Sequence, residues 1–395
     1  MLEEAEARKR VLSSVSPGPI SWVPLELAGG LILGQEVVGL VDSPAFDNSS
    51  MDGYAVKAAE AETGATLLVD AAEQPAGRDL GWLLESGKAI RIFTGAPIPT
   101  DADAVIMQED VDRDGDWIKI KEGVVSGENI RRRGGDVCAG QLLLKPGTEL
   151  GPAQLGLIAS QGCPEVPVHL RPMVEIVTTG NELVEPGAPL LAGEIYNSNG
   201  PMLKAAAERL GAVAATRHGI DDPVALRETI SASIEAADIV VIAGGVSVGD
   251  HDYVKDVLTE LGITTDFWRV RVKPGKPFVF GSGERGPLVF GVPGNPVSAL
   301  VTFQLFVAPA IRKRLGYESE NREFADRIEV TALEEISNRG DRPHYLRGIR
   351  DREGVRLSGT QQSHAIFGLA RANCLIRLEP EQVVEPGDLV SVLPI

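Results

Sequence analysis

The stretch Asp238-Ile239-Val240-Val241-Ile242-Ala243-Gly244-Gly245 decides the fold. It is almost wholly apolar up to Ala243, which is typical of a strand in a parallel sheet that is covered on both faces. Predicted strands and helices alternate on either side of it, so the sequence predicts βαβ units and an open, mostly parallel sheet. The predicted strands are 174–178, 212–218, 278–280 and 288–290, and the predicted helices are 201–210, 223–237, 253–261 and 296–315.

The sequence on both sides of this region differs in character. A short amphipathic helix is predicted at 3–14, and short β runs alternate with turns between 41 and 145 and again after 320. The predicted fold class is a multidomain α/β plus β protein with an open, mostly parallel α/β sheet. Its predicted parts are a small N-terminal mixed domain (1–40 and 145–172), a β-rich domain (41–144), an α/β domain (173–318) and a C-terminal β domain (319–395).

The net charge restricts the partners. The 395 residues include 38 Lys and Arg against 56 Asp and Glu, which gives a formal net charge of −18. Broad nucleic-acid binding and binding to anionic membranes need the opposite sign, so neither partner is predicted. The acidic N-terminus has no apolar core segment, and no run of about 18 apolar residues occurs, so we expect a cytoplasmic location.

The cysteines and histidines disfavour thiol chemistry and a zinc site. Cys138, Cys163 and Cys374 are far apart, and the five histidines are scattered. An odd cysteine count also argues against a disulfide framework. Acidic side chains are the more plentiful candidates, and carboxylates suit Mg²⁺ or another hard divalent cation that bridges substrate phosphates.

Three polar loops follow predicted strands of the α/β domain, where ligands bind in open sheets. The first, 178–183, is on its own slightly better explained as an ordinary turn. The second, 244–252, favours an anion or nucleotide loop over a glycine-rich turn with an Asp cap. In the third, 291–298, Asn295 and Pro296 fit a helix start, but the other residues favour a cradle for an oxyanion.

A basic segment adds positive charge near these loops. Arg269, Arg271 and Lys273 alternate, so on a strand they would share one face, and Lys276 follows closely. A solvated edge strand is the alternative explanation. Beside glycine-rich loops in an acidic chain, the row favours anion binding. The residues alone therefore indicate a metal-assisted enzyme that handles a phosphate or a nucleotide.

Six ordered motifs carry a family resemblance over essentially the whole chain. They are Met51-Asp52-Gly53-Tyr54-Ala55-Val56, Thr94-Gly95-Ala96-Pro97, Thr179-Gly180-Asn181-Glu182-Leu183, the loop 244–252, Lys273-Pro274-Gly275-Lys276-Pro277 and Pro293-Gly294-Asn295-Pro296-Val297-Ser298. Together they resemble the MoeA family of molybdopterin molybdenumtransferases, which includes the E domain of gephyrin. Each motif alone is weak, but six in this order are highly specific.

The resemblance implies a reaction and its requirements. Adenylylated molybdopterin and molybdate give molybdenum cofactor and AMP, with Mg²⁺ or another divalent cation. The resemblance also implies a homodimer, in which the cleft lies between the α/β domain of one subunit and the β-rich domain of the other. The implied partners are a molybdopterin adenylyltransferase and the downstream molybdoenzyme machinery.

The resemblance also assigns site residues, motif by motif. The implied catalytic residues are Asp52, Thr94, Asp136, Glu182, Asp222, Asp252, Lys273 and Lys276, and the implied metal ligands among them are Glu182, Asp222 and Asp252. The implied substrate-binding residues are Thr179, Gly180, Asn199, Gly244, Gly245, Ser247, Gly249, Pro293, Gly294, Asn295, Pro296, Ser298, Arg342 and Ser363. The residues that match the molybdate pocket of the family are Lys276, Ser298, Arg342 and Ser363.

Three other functions remain open on the sequence. The α/β domain also resembles a molybdopterin adenylyltransferase, although that enzyme normally lacks the flanking β domains and the 273–276 segment. A non-enzymatic scaffold, as gephyrin is at synapses, is less expected because this chain shows no added N-terminal domain or long linker. An inactive or tungstate-preferring relative would carry the same motifs.

Overall fold

The computed structural model describes residues 1–246, 253–283, 286–317 and 327–395, and these residues form two units. The first unit contains Met1–Gln35, Pro146–Pro152 and Glu165–Ile395. The second unit contains Glu36–Lys145 and Ala153–Pro164. The finer division into four domains stays a prediction.

The α-helices in the described residues are α1 (Glu4–Ser13), α2 (Pro152–Ser160), α3 (Asn199–Arg209), α4 (Pro223–Ala236), α5 (Val254–Glu260), α6 (Pro296–Thr302), α7 (Ala308–Arg314) and α8 (Ile366–Arg371). Helices α1, α3, α4 and α5 are close to those predicted from the sequence, whereas α8 was not predicted. Short 3₁₀ turns lie at Leu25–Leu27, Ala58–Glu60 and Gln108–Asp110. Helix α3 begins at Asn199, two residues before the predicted start, because Pro201 is tolerated in a first turn, where its missing N–H has no helical partner.

The helix predicted at 296–315 is not one regular helix. A π-helical turn at Phe303–Val307 separates α6 from α7. Pro309 of α7 has no N–H to donate to the carbonyl of Leu305, four residues earlier, and its ring crowds that carbonyl. A local widening of the helix at this point is the expected response.

The strands of residues 1–169 are mostly short. They are β1 (Ile20–Pro24), β2 (Val37–Val38), β3 (Asn48–Ser49), β4 (Gly53–Val56), β5 (Thr66–Gln74), β6 (Lys88–Ile92), β7 (Ala104–Met107), β8 (Val111–Asp114), β9 (Trp117–Ile120), β10 (Ile130–Arg131), β11 (Leu142–Leu144) and β12 (Glu165–His169). In the first unit, β1 pairs with β12. In the second unit, six strands form one sheet in the order β7-β4-β6-β5-β9-β8.

Alternation along the strands explains how the second unit builds its core. In β9, Ile118 and Ile120 are buried whereas Trp117 and Lys119 are exposed. Successive side chains point to opposite faces of a sheet, so this pattern covers one face with apolar side chains. Tyr54 of β4 joins the same apolar cluster. The β-rich character predicted for this region is therefore confirmed.

The remaining strands form the α/β sheet and the C-terminal sheet. They are β13 (Met173–Thr179), β14 (Leu183–Val184), β15 (Ile195–Tyr196), β16 (Val213–Gly219), β17 (Ile239–Ala243), β18 (Thr264–Arg269), β19 (Pro277–Ser282), β20 (Leu288–Val292), β21 (Ile328–Thr331), β22 (Ile336–Ser337), β23 (His344–Arg350), β24 (Val355–Leu357), β25 (Cys374–Leu378), β26 (Val383–Val384) and β27 (Leu389–Pro394). The C-terminal sheet is antiparallel, in the order β21-β27-β25-β23-β24.

The α/β sheet has the order β16-β13-β17-β20-β19-β18. Its first four strands are parallel, and β19 and β18 are added antiparallel at one edge. Every residue of β17 is buried because both faces of the strand are covered. Ile239 and Val241 pack in the cluster that includes Leu203 of α3, whereas Val240 and Ile242 pack in the cluster that includes Leu226 of α4. The predicted fold class is confirmed.

The predicted alternation is present: Val270 and Val272 are buried, whereas Arg269 and Lys273 are exposed and Arg271 is half-buried. The three basic residues do not lie on one strand, however. Strand β18 ends at Arg269, and the chain then pairs with two other segments. The N–H of Arg271 donates to the carbonyl of Leu2, and the N–H of Lys273 donates to the carbonyl of Pro343. These partners are distant in sequence, and the alternation of buried and exposed residues continues beyond the end of β18. The described residues contain no helix that is long and apolar enough to span a membrane.

Candidate functional site

A cavity of about 460 Å³ lies at the carboxyl ends of β13, β17 and β20. These strands are neighbours and parallel, so the loops that leave them meet at one edge of the sheet. The structure thereby brings together many of the residues implied by the motifs. Those that line the cavity are Thr179, Gly180, Glu182, Asn199, Gly244, Gly245, Pro293, Gly294 and Asn295.

The loop after β17 requires glycine. Gly244 and Gly245 have φ values of +102° and +61°, which residues with a Cβ rarely adopt. A Cβ on Gly244 would lie 2.8 Å from both the carbonyl oxygen and the hydroxyl of Thr179. The two loops therefore touch through backbone, and the wall of the cavity between them is free of bulky side chains.

Two polar atoms at the cavity have no hydrogen-bond partner in the described part of the chain. Asn199 donates from Nδ2 to the carbonyl of Gly294, at 2.6 Å, but its Oδ1 is buried and unpaired. The hydroxyl of Thr179 is also buried and unpaired. Buried polar groups are nearly always satisfied, so this cavity has the chemistry of a site for a polar ligand.

Asn295 occupies the N-cap position of α6, as predicted, and Pro296 lies in the first turn. The side chain of Asn295 makes no capping hydrogen bond, however. Its amide is therefore not used by the helix, and the residue contributes to the cavity wall.

The structure places Asp221, and not its neighbour Asp222, at the cavity. Asp222 caps α4, because its Oδ1 accepts from the N–H groups of Val224 and Ala225 at 3.1 and 2.9 Å. The implied role of Asp222 as a metal ligand has no support from this position. The sequence did contain a signal: with Pro223 at the first helical position, Asp222 is the natural N-cap, which leaves Asp221 free for the site.

Asp221 is held by reciprocal hydrogen bonds with Asn181. The N–H of Asn181 donates to Oδ2 of Asp221, at 3.3 Å, and the N–H of Asp221 donates to Oδ1 of Asn181, at 3.1 Å. The loop that contains Glu182 is thus tied to the loop that precedes α4. Two carboxylates, of Glu182 and Asp221, consequently line the same cavity.

Residues of the implied molybdate pocket come from segments that are joined by backbone hydrogen bonds. The N–H of Val297 donates to the carbonyl of Ser363 at 3.2 Å, which brings the C-terminal sheet domain to the turn that contains buried Ser298. Arg342 donates from Nη1 to the carbonyl of Val272, at 3.2 Å, directly before Lys273. The exposed side chains of Lys273 and Lys276 project from the same connection.

Three cationic side chains lie near His344 in this region. This histidine is the first residue of β23 and is 8% exposed. Burial, followed by the positive charges of Lys273, Arg347 and Arg342, lowers the pKa of His344 to about 4. The imidazole is therefore neutral near pH 7 and does not add to the excess of cations. An anion is the ligand that such a surface would favour. The sequence analysis did not identify His344.

Asp52 and Thr94 lie together in the second unit. The backbone N–H and the hydroxyl of Thr94 donate to Oδ1 of Asp52 at 2.7 and 2.8 Å. These two bonds, and to a lesser degree the charge of Arg91, lower the pKa of Asp52. Asp52 is therefore an ionised carboxylate in a fixed orientation. Asp136, also implied as catalytic, is exposed, and its N–H donates to the carbonyl of Ser43.

Family models match three consecutive parts of the chain. They are the MoeA N-terminal region (domain I and II) at residues 2–162, a probable molybdopterin binding domain at 175–313 and the MoeA C-terminal region (domain IV) at 329–395. Molybdopterin molybdenumtransferase 2 of Mycobacterium tuberculosis is 40% identical over 376 residues, which cover 92% of this chain and 91% of that protein. The chain belongs to the molybdopterin molybdenumtransferase family.

Two further similar proteins support the same family assignment. The molybdopterin molybdenumtransferase of Haemophilus influenzae is 37% identical to this chain, and the match covers 100% of this chain and 98% of that protein. The crystal structure of the molybdopterin biosynthesis MoeA protein from Pyrococcus horikoshii OT3 has a TM-score of 0.85, with 29% identity and coverage of 100% of both chains. As a member of the molybdopterin molybdenumtransferase family, the chain is a transferase.

The donor set at the cavity fits the divalent cation that the family resemblance implies. Glu182 and Asp221 offer carboxylate oxygens, and Mg²⁺ is usually held by one or two carboxylates together with substrate phosphates. Within residues 1–246, 253–283, 286–317 and 327–395, no cluster of three or more potential ligand side chains is present. The implied site residues Ser247, Gly249 and Asp252 lie outside the described residues.

Proposed function

We propose that the chain inserts molybdenum from molybdate into adenylylated molybdopterin and releases AMP. Membership of the molybdopterin molybdenumtransferase family gives it a role in molybdenum cofactor biosynthesis. The observation that carries the proposal is the cavity at the carboxyl ends of β13, β17 and β20, in which glycine loops, unpaired polar atoms and two carboxylates meet. Its volume of about 460 Å³ is in the range of small-molecule sites.

The cavity would hold the adenylylated pterin. Gly244 and Gly245 leave room for the ligand to approach the backbone, and Thr179 and Asn199 offer hydrogen bonds that the protein does not use. Glu182 and Asp221 would hold Mg²⁺, which when bound neutralises the negative charge of the phosphates.

The cationic segment would hold molybdate. Lys273, Lys276 and Arg342 supply positive charge to a small dianion, and Ser298 and Ser363 supply hydroxyl donors. Burial is the main cause of the low pKa of neighbouring His344, and the charges of Lys273, Arg347 and Arg342 lower that pKa further, which is consistent with a cationic environment. Fixed positive charge would also stabilise charge that develops as the phosphoanhydride bond breaks.

AMP release tests the proposal directly. The protein is mixed with adenylylated molybdopterin, molybdate and Mg²⁺, and AMP and molybdenum cofactor are both measured. We expect both products from the wild type, much less from Glu182→Gln, and wild-type amounts from Glu335→Gln, which alters an exposed acid outside the cavity. AMP without molybdenum cofactor, or equal turnover by Glu182→Gln, would contradict the proposal.

Assembly and location are part of the same proposal. We expect a cytoplasmic homodimer in which one subunit contributes Asp52 and the other contributes Glu182 to each site, served by a molybdopterin adenylyltransferase. Co-expression of Asp52→Ala and Glu182→Ala chains should give heterodimers that recover part of the activity. Verified heterodimers of folded chains with no activity would argue against shared sites.

A further inference from the structure

Asn199 uses only half of its hydrogen-bonding capacity. It is the first residue of α3, lines the cavity and is 9% exposed. Its Nδ2 donates to the carbonyl oxygen of Gly294 at 2.6 Å. A carbonyl oxygen can only accept, so the nitrogen of the amide must face Gly294 and the oxygen must face the other way. The orientation of the amide is therefore fixed by chemistry.

The oxygen of this amide is left as a buried acceptor. Oδ1 of Asn199 has no partner within the described residues. Leaving a buried acceptor unpaired costs free energy, which a ligand that brings a donor would recover. Thr179 lines the same cavity and is 6% exposed, and its buried hydroxyl is equally unpaired. A hydroxyl can donate or accept, whereas Oδ1 of Asn199 accepts only.

Asn197, two residues earlier, shows the contrasting case. Its Nδ2 donates to the hydroxyl of Thr178 at 2.9 Å and to Oε1 of Glu185 at 2.7 Å, and its Oδ1 accepts from the N–H of Gly200 at 3.1 Å. That amide is fully used inside the protein. The unused oxygen of Asn199 is therefore not a general feature of this turn.

We propose that Asn199 selects the ligand by accepting a hydrogen bond from an amino N–H of its heteroaromatic ring. This inference rests on the proposed function, in which two parts of the ligand carry such a group: the adenine 6-amino group and the pterin 2-amino group. A ring with a keto oxygen at the same place would set two acceptors against each other. Sites that hydrogen-bond a substrate group discriminate strongly because a mismatched ligand leaves a buried group unpaired.

Paired ligands that differ at one group test the inference. Calorimetry measures the binding of AMP against IMP, and of pterin-6-carboxylate against lumazine-6-carboxylate, in which keto oxygens replace the amino groups. We expect the wild type to prefer the amino form in one pair by about tenfold or more. A preference within the purine pair identifies adenine as the group read by Asn199, and one within the pterin pair identifies the pterin.

Two substitutions separate recognition of the ligand's amino group from support of the loop at Gly294. Asn199→Ala removes the acceptor and the bond to Gly294, and we expect the amino preference to fall to about twofold or less. Asn199→Asp also loses the donor to Gly294 but keeps an oxygen acceptor, so it should bind all ligands more weakly and retain the preference. A preference that survives in Asn199→Ala, or wild-type binding without preference, overturns the inference. Failure of all four ligands to bind contradicts the proposed function as well.

Discussion

The N–H of Val297 donates a hydrogen bond to the carbonyl oxygen of Ser363, at 3.2 Å. This bond joins the first turn of α6 to the loop 358–363 of the C-terminal sheet domain. The loop is held from its other side by Arg347, which is 1% exposed and donates to the carbonyls of Thr360 and Gln362. The position of Ser363 at the first turn of α6 thus depends on a buried arginine that the sequence analysis did not identify.

Arg347→Lys should loosen this loop. A lysine cannot donate to two carbonyls with a planar fork, and bonds from charged donors each contribute about 1.5–3 kcal/mol. We expect a loss of about 2–4 kcal/mol of stability in urea unfolding, and a molybdate half-saturation that rises more than that for adenylylated molybdopterin. Arg350→Lys, on the exposed end of the same strand, is the control. Equal changes in the half-saturation values for molybdate and for adenylylated molybdopterin would show that Arg347 has only a structural role.

The two neighbouring aspartates before α4 should behave differently. Asp222→Ala removes the N-cap and should lower stability by about 1 kcal/mol, whereas Asp222→Asn should be nearly neutral because Asn caps about as well. Asp221→Asn should leave the melting temperature unchanged and raise the Mg²⁺ concentration needed for AMP release. A raised Mg²⁺ requirement in Asp222→Asn but not in Asp221→Asn would return the ligand role to Asp222.

Local patterns explain why the sheet and the cavity could be predicted from the sequence. Apolar runs such as Ile239–Ala243 identify buried parallel strands, and the carboxyl ends of such strands are where ligands bind. The glycines at 244 and 245 are likewise required by backbone geometry that the motif reflects. These features depend on residues that are close in sequence.

The features that could not be predicted from the sequence depend on hydrogen-bond partners that are far away in the chain. Residues 269–273 alternate as predicted, but their hydrogen-bond partners Leu2 and Pro343 lie far away in the sequence. The role of Arg347 depends on a loop more than ten residues later, and the free oxygen of Asn199 depends on Gly294. No periodicity within a single segment indicates such contacts.

Gly244→Ala should damage the cavity more than it damages the fold elsewhere. The new Cβ would meet Thr179 at 2.8 Å, and φ is +102°. Gly262→Ala is the matched control, because φ is +76° there but a Cβ meets no atom within 4 Å. We expect Gly262→Ala to cost about 1 kcal/mol from backbone strain alone, and Gly244→Ala to cost more and to weaken AMP binding. Normal AMP binding by folded Gly244→Ala would show that this loop does not touch the ligand.

Buried Glu4 should make stability depend on pH. Its Oε1 accepts from Arg327 at 2.6 Å and from the hydroxyl of Tyr345 at 2.8 Å. Burial raises the pKa of Glu4, but Arg327, Tyr345, Arg377 and Arg8 outweigh burial, so the pKa lies below its ordinary value of 4.5. The stabilisation from ionised Glu4 is therefore complete above pH 4.5 and is lost as the pH falls through the lowered pKa.

Glu4→Gln should accordingly destabilise the protein at pH 7 by about 3–5 kcal/mol, because it leaves buried positive charge without its partner. The difference from wild type should shrink in urea unfolding as the pH is lowered below 4.5. Glu6→Gln, at an exposed position paired with Arg10, should show little of this pH dependence. A difference between Glu4→Gln and wild type that is constant from pH 7 to pH 3 would contradict the assignment.

Lys276→Ala should weaken the use of molybdate more than binding of the adenylylated pterin. Lys276 follows Gly275, whose φ is +124° and at which a Cβ would lie 2.5 Å from Cγ2 of Thr302, so the turn is held against α6. Loss of one charge-assisted bond should raise the molybdate half-saturation about tenfold to a hundredfold. Lys9→Ala, at an exposed position on α1, is the control. Tungstate titrated in parallel tests oxyanion preference, and an unchanged molybdate requirement in Lys276→Ala would place the pocket elsewhere.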